Sequence, residues 1–310
     1  MTDIRGSVLS AIGNTPVVRL RKLVDEGSAD VIIKLEFYNP TGSYKDRMAL
    51  AMIEGAERRG TLRPGMRVIE YTGGSTGSSL ALVCSVKGYP FIALSSDAWS
   101  EEKLRTMRAF GAEVRVFPSE GGKVTPGLIQ TLKAEAERLA AEPGTFYANQ
   151  FNNRDAIEGY RGIGTELLAQ AGPIAAFCGG VGTAGMLAGV SQALKPSGTR
   201  IIALEPGTSP VLTAGYGGPH RVEGMGVGFV PPHLTPDVYD EARAINEAEA
   251  RVMARRLARE EGIFGGVSTG LNVVAALQLA RELGPGHTVA TVAVDTGLKY
   301  LAGDLFELSS

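Results

Sequence analysis

Short apolar runs alternate with segments of helical period along most of the chain, and this alternation restricts the possible folds more than any other feature. Strand-like runs at 67–71, 91–94 and 113–117 are each followed by a helical pattern, ending near residue 86, spanning 101–110 and spanning 128–141. That rhythm predicts βαβ units and a parallel sheet. After Pro143 and Gly144, residues 146–150 read as a short strand with a polar end. A second series follows: helix 155–169, strand 174–178, a helix to 194, strand 200–204, helix 268–283 and strand 288–294. The pattern predicts two α/β units with a boundary near Asn152, and 310 residues suit that division.

Ahead of the first series, Ile12-Gly13-Asn14-Thr15-Pro16 is a turn signal followed by apolar runs at 17–20 and 31–35. The second run gives way to Asn39-Pro40-Thr41-Gly42-Ser43-Tyr44-Lys45-Asp46-Arg47 and a helix whose Met48, Ala49, Met52, Ile53 and Ala56 share one face. Those apolar residues are expected to pack in a core. With Pro40 and Gly42 in a turn and Ser43 as N-cap, Lys45 falls in the first helical turn. The positive end of the helix dipole disfavours a protonated amine there, so the position suits a lysine needed in its neutral form. A surface lysine paired with Asp46 is the alternative.

A net charge of −2 argues against a nucleic-acid binder. Cys84 and Cys178 lie far apart in apolar runs and read as buried thiols of a reducing compartment. Three scattered histidines offer no metal-ligand spacing, so no metal is expected. The N-terminal residues lack an apolar signal region and no run is long enough to span a membrane, which predicts a cytoplasmic protein without membrane contact.

Three glycine turns open helices. Gly180-Val181-Gly182-Thr183-Ala184-Gly185 follows a strand, so free N–H groups and a helix dipole converge there on an anion such as a phosphate. The pattern also matches a dinucleotide fingerprint, with Glu205 twenty residues past Gly185 where a ribose-binding acid belongs. Thr72-Gly73-Gly74-Ser75-Thr76-Gly77 offers hydroxyl and N–H groups suited to a small carboxylate. Val267-Ser268-Thr269-Gly270 places Ser268 as an N-cap or as a donor to a ligand nitrogen. Gly121-Gly122-Lys123 lacks the first P-loop glycine and is no nucleotide loop. The glycine-rich stretch 207–235 retains Met225, Val227, Phe229 and Val230 to pack and reads as an ordered loop lining a cleft. Asn246 with Glu249 is a capping box for the helix that follows.

Taken in register, the 12–16 and 39–47 segments, the turns at 72–77 and 180–185 and the 267–270 turn resemble the cysteine synthase (O-acetylserine sulfhydrylase) family of pyridoxal-phosphate enzymes. Also similar are Gln150-Phe151, Glu205-Pro206, Ser209-Pro210, the 218–229 stretch, Gly297 and Tyr300-Leu301, so the likeness spans nearly the whole chain. The resemblance implies two doubly wound three-layer α/β domains of the tryptophan synthase β-like kind, fold type II, with the active site in the cleft between them. It implies a larger domain of residues 1–40 and 152–310 that binds the cofactor phosphate, a smaller mobile substrate-loop domain of residues 41–151, and a homodimer.

For the residues, the resemblance implies that Lys45 forms a Schiff base with pyridoxal 5′-phosphate. It implies that Gly180, Val181, Gly182, Thr183 and Ala184 hold the phosphate, replacing the dinucleotide reading, and that Ser268 faces the pyridine nitrogen. Thr72, Gly73, Gly74 and Thr76 with Gln150 would receive the substrate carboxylate, with Ser75 beside the cofactor's 3′ oxygen. The implied reaction is β-replacement on an L-serine derivative by sulfide or a thiol through an aminoacrylate, giving L-cysteine or a related amino acid. Where the family usually has Thr-Ser-Gly-Asn-Thr-Gly, this chain has Gly73 in place of a hydroxyl and Ser75 in place of an amide, so substrate positioning differs. Arg154-Asp155 also replaces the usual Pro-Ala. The alternatives are a lyase of the dehydratase or desulfhydrase type, an NAD-dependent oxidoreductase built on 180–185 and Glu205, and a silent binding module.

Overall fold

The computed structural model describes residues 6–307. In chain order its elements are β1 (Val17–Arg19), β2 (Asp30–Leu35), α1 (Lys45–Arg58), β3 (Arg67–Tyr71), α2 (Ser75–Lys87), β4 (Phe91–Ser96), α3 (Glu101–Ala109), β5 (Glu113–Phe117), α4 (Pro126–Ala140) and β6 (Thr145–Tyr147). They continue with α5 (Asp155–Ala171), β7 (Ala176–Gly180), α6 (Gly185–Leu194), β8 (Arg200–Pro206), α7 (Val211–Ala214), β9 (Glu241–Ile245), α8 (Glu247–Arg256), α9 (Val267–Leu283) and β10 (Thr288–Ala293). Two compact units result. Among the described residues, the first holds Lys45–Gly159 with residues 6–12; the second holds Gly13–Tyr44 with residues 160–307.

The first unit carries a four-stranded parallel sheet in the order β5-β4-β3-β6, with Val68 opposite Phe91 and Arg67 opposite Thr145. From β3 the chain adds β4 and β5 on one side, then returns to lay β6 on the other. The order therefore reverses between β3 and β6, and ligands of open α/β sheets bind beyond the carboxyl ends at such reversals. Residues Thr72 and Gln150 follow those two strands. Ile69, Ile92 and Leu94 pack against Leu128, Leu132, Ala136 and Leu139 of α4 to form a core on one sheet face. The apolar face of α1 is fully buried at Met48, Ala49, Met52, Ile53 and Ala56, as its spacing predicts.

The second unit carries the order β1-β2-β10-β7-β8-β9, parallel throughout except for β1, which runs antiparallel to β2. Its reversal lies between β7 and β10, and the 180–184 turn stands at the end of β7. Both strands are nearly continuous apolar runs because helices cover both faces of such a sheet. The edge strand β9 escapes a reading by apolar runs: its sequence is Glu-Ala-Arg-Ala-Ile, and Arg243 reaches Glu282 through two hydrogen bonds of 2.7 Å and also pairs with Glu241.

The 207–235 stretch is ordered by internal bonds, among them a 2.8 Å contact between the His220 ring and the Gly226 carbonyl. Its packing differs from the expectation. Gly224, Gly226 and Gly228 all have positive φ, and the turns they make send Met225 into the core while Phe229 and Val230 stay exposed. The Asn246 side chain caps α8, accepting from Ala248 and Glu249 N–H at 2.8 and 3.3 Å. Cys84 and Cys178 are free and buried, and burial pushes both thiols up, Cys178 to about 12. Among the described residues no helix is long and apolar enough to cross a membrane, and no cluster of His, Cys, Asp and Glu is placed to hold a metal ion.

Candidate active site

In the first unit, Lys45 is the first residue of α1 and is 8% exposed. The segment before it is fixed by tight local bonds, the Gly42 N–H donating to the Asn39 carbonyl at 2.7 Å. Gly42 has φ +71, the left-handed conformation that a turn into a helix often needs. Lys45 is thus a buried amine at a helix start, not the solvated surface lysine of the alternative reading.

The turn after β3 places Thr72, Gly73, Gly74, Ser75 and Thr76 at the start of α2, where Gly74 is the N-cap and no side chain caps the helix. A helix start without a capping side chain is the kind of place that suits an anion. The Thr76 hydroxyl donates to Gln150 Oε1 at 2.8 Å, and Gln150 Nε2 donates to the Tyr71 carbonyl at 3.4 Å. Thr72, Thr76 and Gln150 are all buried. Residues 74 positions apart are joined because β6 ends beside β3.

Beneath this turn lies Glu70, a fully buried carboxyl that sequence reasoning passed over, although a charge in the middle of the apolar run Arg-Val-Ile-Glu-Tyr was a signal. Its Oε2 accepts from the Gln150 backbone N–H at 3.0 Å, and Asn149 beside it has φ +52. The carboxyl thereby holds a strained backbone that carries Gln150. Its Oε1 is buried with no hydrogen-bond partner among the described residues. Burial pushes the Glu70 pKa up to about 8, against the opposing pull of N–H bonds from Gln150, Tyr71 and Asn149 and of the Lys45 charge.

The linkage has a defined sign. The unfolded chain releases this proton in the ordinary carboxylate range, whereas the folded chain holds it until about pH 8. The folded state therefore loses stability as pH rises between those limits and not beyond them. Glu70→Gln should flatten that slope, so that wild type loses on the order of a few kcal/mol relative to the variant between pH 5 and 8. Urea unfolding at three pH values checks it; parallel slopes for the two proteins would refute the assignment.

In the second unit, the 180–184 turn is held close to the 224–226 segment, with the Gly226 N–H donating to the Val181 carbonyl at 3.0 Å. A Cβ at Gly182 would overlap the Gly224 carbonyl oxygen, so the backbones approach as only glycine permits. Ala184 is the N-cap of α6 with φ +65; no side chain caps this helix and no acid stands in its first turn. Such a cradle fits a phosphate ester.

Asn272, which sequence reasoning missed, braces the turn. Its Oδ1 accepts from the Gly180 N–H at 2.9 Å and its Nδ2 donates to the Val292 carbonyl at 3.0 Å, so this one side chain of α9 spans the β7–β10 reversal. Ser268, one turn earlier on α9, is 4% exposed, and Gly266 takes the N-cap position. Its hydroxyl is thus not the cap of the helix. Glu205 is not placed for a ribose: its two oxygens accept from Leu212 N–H at 2.7 Å, Thr213 N–H at 2.9 Å and the Thr213 hydroxyl at 2.7 Å, so it ties down α7. The dinucleotide reading fails on that observation.

A family model described as pyridoxal-phosphate dependent enzyme matches residues 8–295. The fold is accordingly that of a pyridoxal-phosphate enzyme of fold type II. A cysteine synthase of Staphylococcus aureus is 43% identical over 305 residues, covering 97% of this chain and 96% of the relative. Among solved structures, an O-ureido-L-serine synthase superposes with a TM-score of 0.90 at 37% identity, covering 99% of this chain and 96% of its own. The cysteine synthase of Entamoeba histolytica reaches a TM-score of 0.92 at 33% identity, covering 100% and 93%. The chain belongs to the cysteine synthase family of pyridoxal-phosphate dependent enzymes.

Proposed function

We propose that the protein carries out β-replacement on an L-serine derivative, O-acetyl-L-serine or a similar ester, with sulfide or a thiol, giving L-cysteine or a related amino acid. The observation that carries this reading is the turn 72–76, closed by the Thr76–Gln150 hydrogen bond at the strand-order reversal of the unit that also holds the buried Lys45. Family membership supports it: the relatives named above are cysteine synthases and a synthase of a serine derivative.

Pyridoxal phosphate, when bound, withdraws electrons from the amino acid's Cα, so that the Cα proton becomes acidic and the group on Cβ can depart. Lys45 Nζ would carry the cofactor and, as a free neutral amine, take the Cα proton and later return it. The 180–184 turn would hold the phosphate with its N–H groups. Ser268 would face the ring nitrogen, and a hydroxyl there, unlike a carboxylate, does not favour a protonated ring, which suits replacement over transamination. Thr72, Gly73, Gly74 and Thr76 would orient the substrate carboxylate together with Gln150, with Ser75 beside the 3′ oxygen. A homodimer, a cytoplasmic setting, the domain limits at 40–41 and 151–152 and side lyase activity, with water in place of the thiol, belong to the same reading and rest on the resemblance.

The test is a spectral titration of the purified protein with O-acetylserine, O-phosphoserine, serine, threonine and cysteine, each with and without sulfide. A cofactor band that shifts with a serine ester and returns on adding sulfide, with cysteine formed, is the expected result. Release of pyruvate at the same rate with or without sulfide would sink the replacement reading in favour of a lyase.

A further inference from the structure

The single tryptophan of the chain lies on the turn assigned to the substrate carboxylate. A Cβ built at Gly73 would fall inside the indole of Trp99, overlapping Cδ2, Cε2 and Cγ of its five-membered ring. Gly73 has no positive φ, so its backbone does not require glycine. The indole requires it. The glycine of the turn and the tryptophan thus go together: where a side chain at position 73 would stand, an aromatic wall comes in from the loop after β4.

That wall is held from several sides. The Trp99 backbone N–H donates to the Ser96 carbonyl at 3.3 Å, and the neighbouring Ala98 backbone N–H donates to the Ser96 hydroxyl at 3.2 Å. Asp97 Oδ1 accepts from the Ser96 hydroxyl at 3.1 Å and from the Ser119 N–H at 2.8 Å. The half-buried indole also packs on the Ile69, Ile92 and Leu94 core with Tyr71 and Tyr147. A ring so fixed keeps its place when a ligand arrives. Gly74, next in the turn, has open space where a Cβ would stand, so the constraint is confined to position 73.

We infer that Trp99, seated on Gly73, is a specificity-determining residue of the amino-acid subsite that admits serine derivatives with an uncharged group on Oγ and disfavours O-phosphoserine. The inference rests on the proposed function, which places the substrate on this turn. An aromatic face is apolar and carries the negative lobe of its quadrupole, so it packs well on a neutral acyl or carbamoyl group. A phosphate beside it loses water without gaining a donor and meets like-signed charge density. Under the proposed function the turn's N–H groups receive the substrate's own carboxylate and so are not available to the phosphate.

The holoenzyme supplies two readouts. Emission from the single tryptophan is followed as L-serine is added, and a saturable change is expected. The ratio of kcat/KM for O-acetyl-L-serine over O-phospho-L-serine is then compared between wild type and Trp99→Leu. The ratio should fall at least tenfold, mainly through KM, and Gly73→Ser added to Trp99→Leu should lower it again. Trp99→Phe, which keeps a smaller ring and the apolar packing, should fall between them and serves if Trp99→Leu fails to fold. A ratio unchanged within twofold in either variant overturns the inference, as does emission that ignores L-serine. Failure of the underlying reading looks different: wild type itself would then turn over no serine ester.

Discussion

Lys45→Ala is expected to abolish the lysine-linked cofactor absorbance and to lower turnover of any serine ester by roughly 10³-fold or more, the scale of losing a nucleophile and a positioned base together. The fold should survive, because alanine is the better helix former and Lys45 stands at the first position of α1. Buried lysines of this chain are not equivalent. Lys34, fully buried, is held by the Thr15 carbonyl, Gln170 and Glu166 within 2.6–2.7 Å, so its ammonium is matched by partners and its loss should unsettle packing instead of chemistry. Absorbance of the purified variant and a rate measurement with O-acetylserine and sulfide decide the matter. Turnover within tenfold of wild type would remove Lys45 from the mechanism.

The second large effect concerns the phosphate cradle. Gly182→Ala should weaken pyridoxal phosphate about 100-fold, close to 3 kcal/mol, because the new methyl group meets the Gly224 carbonyl, backbone against backbone. Neither side can yield alone, since the Val181–Gly226 hydrogen bond ties the two segments together. Gly180→Ala makes the contrast. There the nearest atoms are Cε and Sδ at the flexible end of Met225, which can rotate away, so a loss of tenfold or less is expected. Reconstitution of the apo variants with increasing cofactor measures both. Equal affinities for the two variants would show that the Gly224 carbonyl does not shape the site.

The sheets were legible in the sequence where strands are central. The interior strands β2, β3, β4, β7, β8 and β10 fall within about two residues of the apolar runs that predict them, because both faces of a central parallel strand are covered. Edge strands β1 and β5 also match their runs, but at the edge strand β9 that signal fades. The strand β9 alternates charge with alanine, and its pairing is paid for by the Arg243 ion pairs, which no apolar periodicity encodes. Likewise, the left-handed glycines of the long loop were visible as glycines, but not which of Met225, Phe229 and Val230 they would turn inward.

The candidate site divides along a similar line. The position of Lys45 at a helix start follows from local turn chemistry, and so do the glycine turns that open α2 and α6. The groups behind them come from afar: Gln150 to Thr76 across 74 residues, Asn272 to Gly180 across 92. Periodicity and turn rules act over a few residues and cannot express such pairs. Trp99 shows the limit most clearly, since the absent hydroxyl at Gly73 was visible in the sequence and its cause, an indole 26 positions later, was not.

The strand-order reversal in the first unit also has a bearing on how the subsite is made. The partner of Thr76 arrives only after β4, α3, β5, α4 and β6 have been laid down. A nascent chain ending before residue 150 holds the 72–76 turn but cannot make its bond to Gln150. Contacts of such sequence separation are the slow ones to form. Under the proposed function, competence to receive an amino acid would be acquired late, when β6 docks against β3, and a fragment ending after β5 would keep the glycine turn without its Gln150 partner.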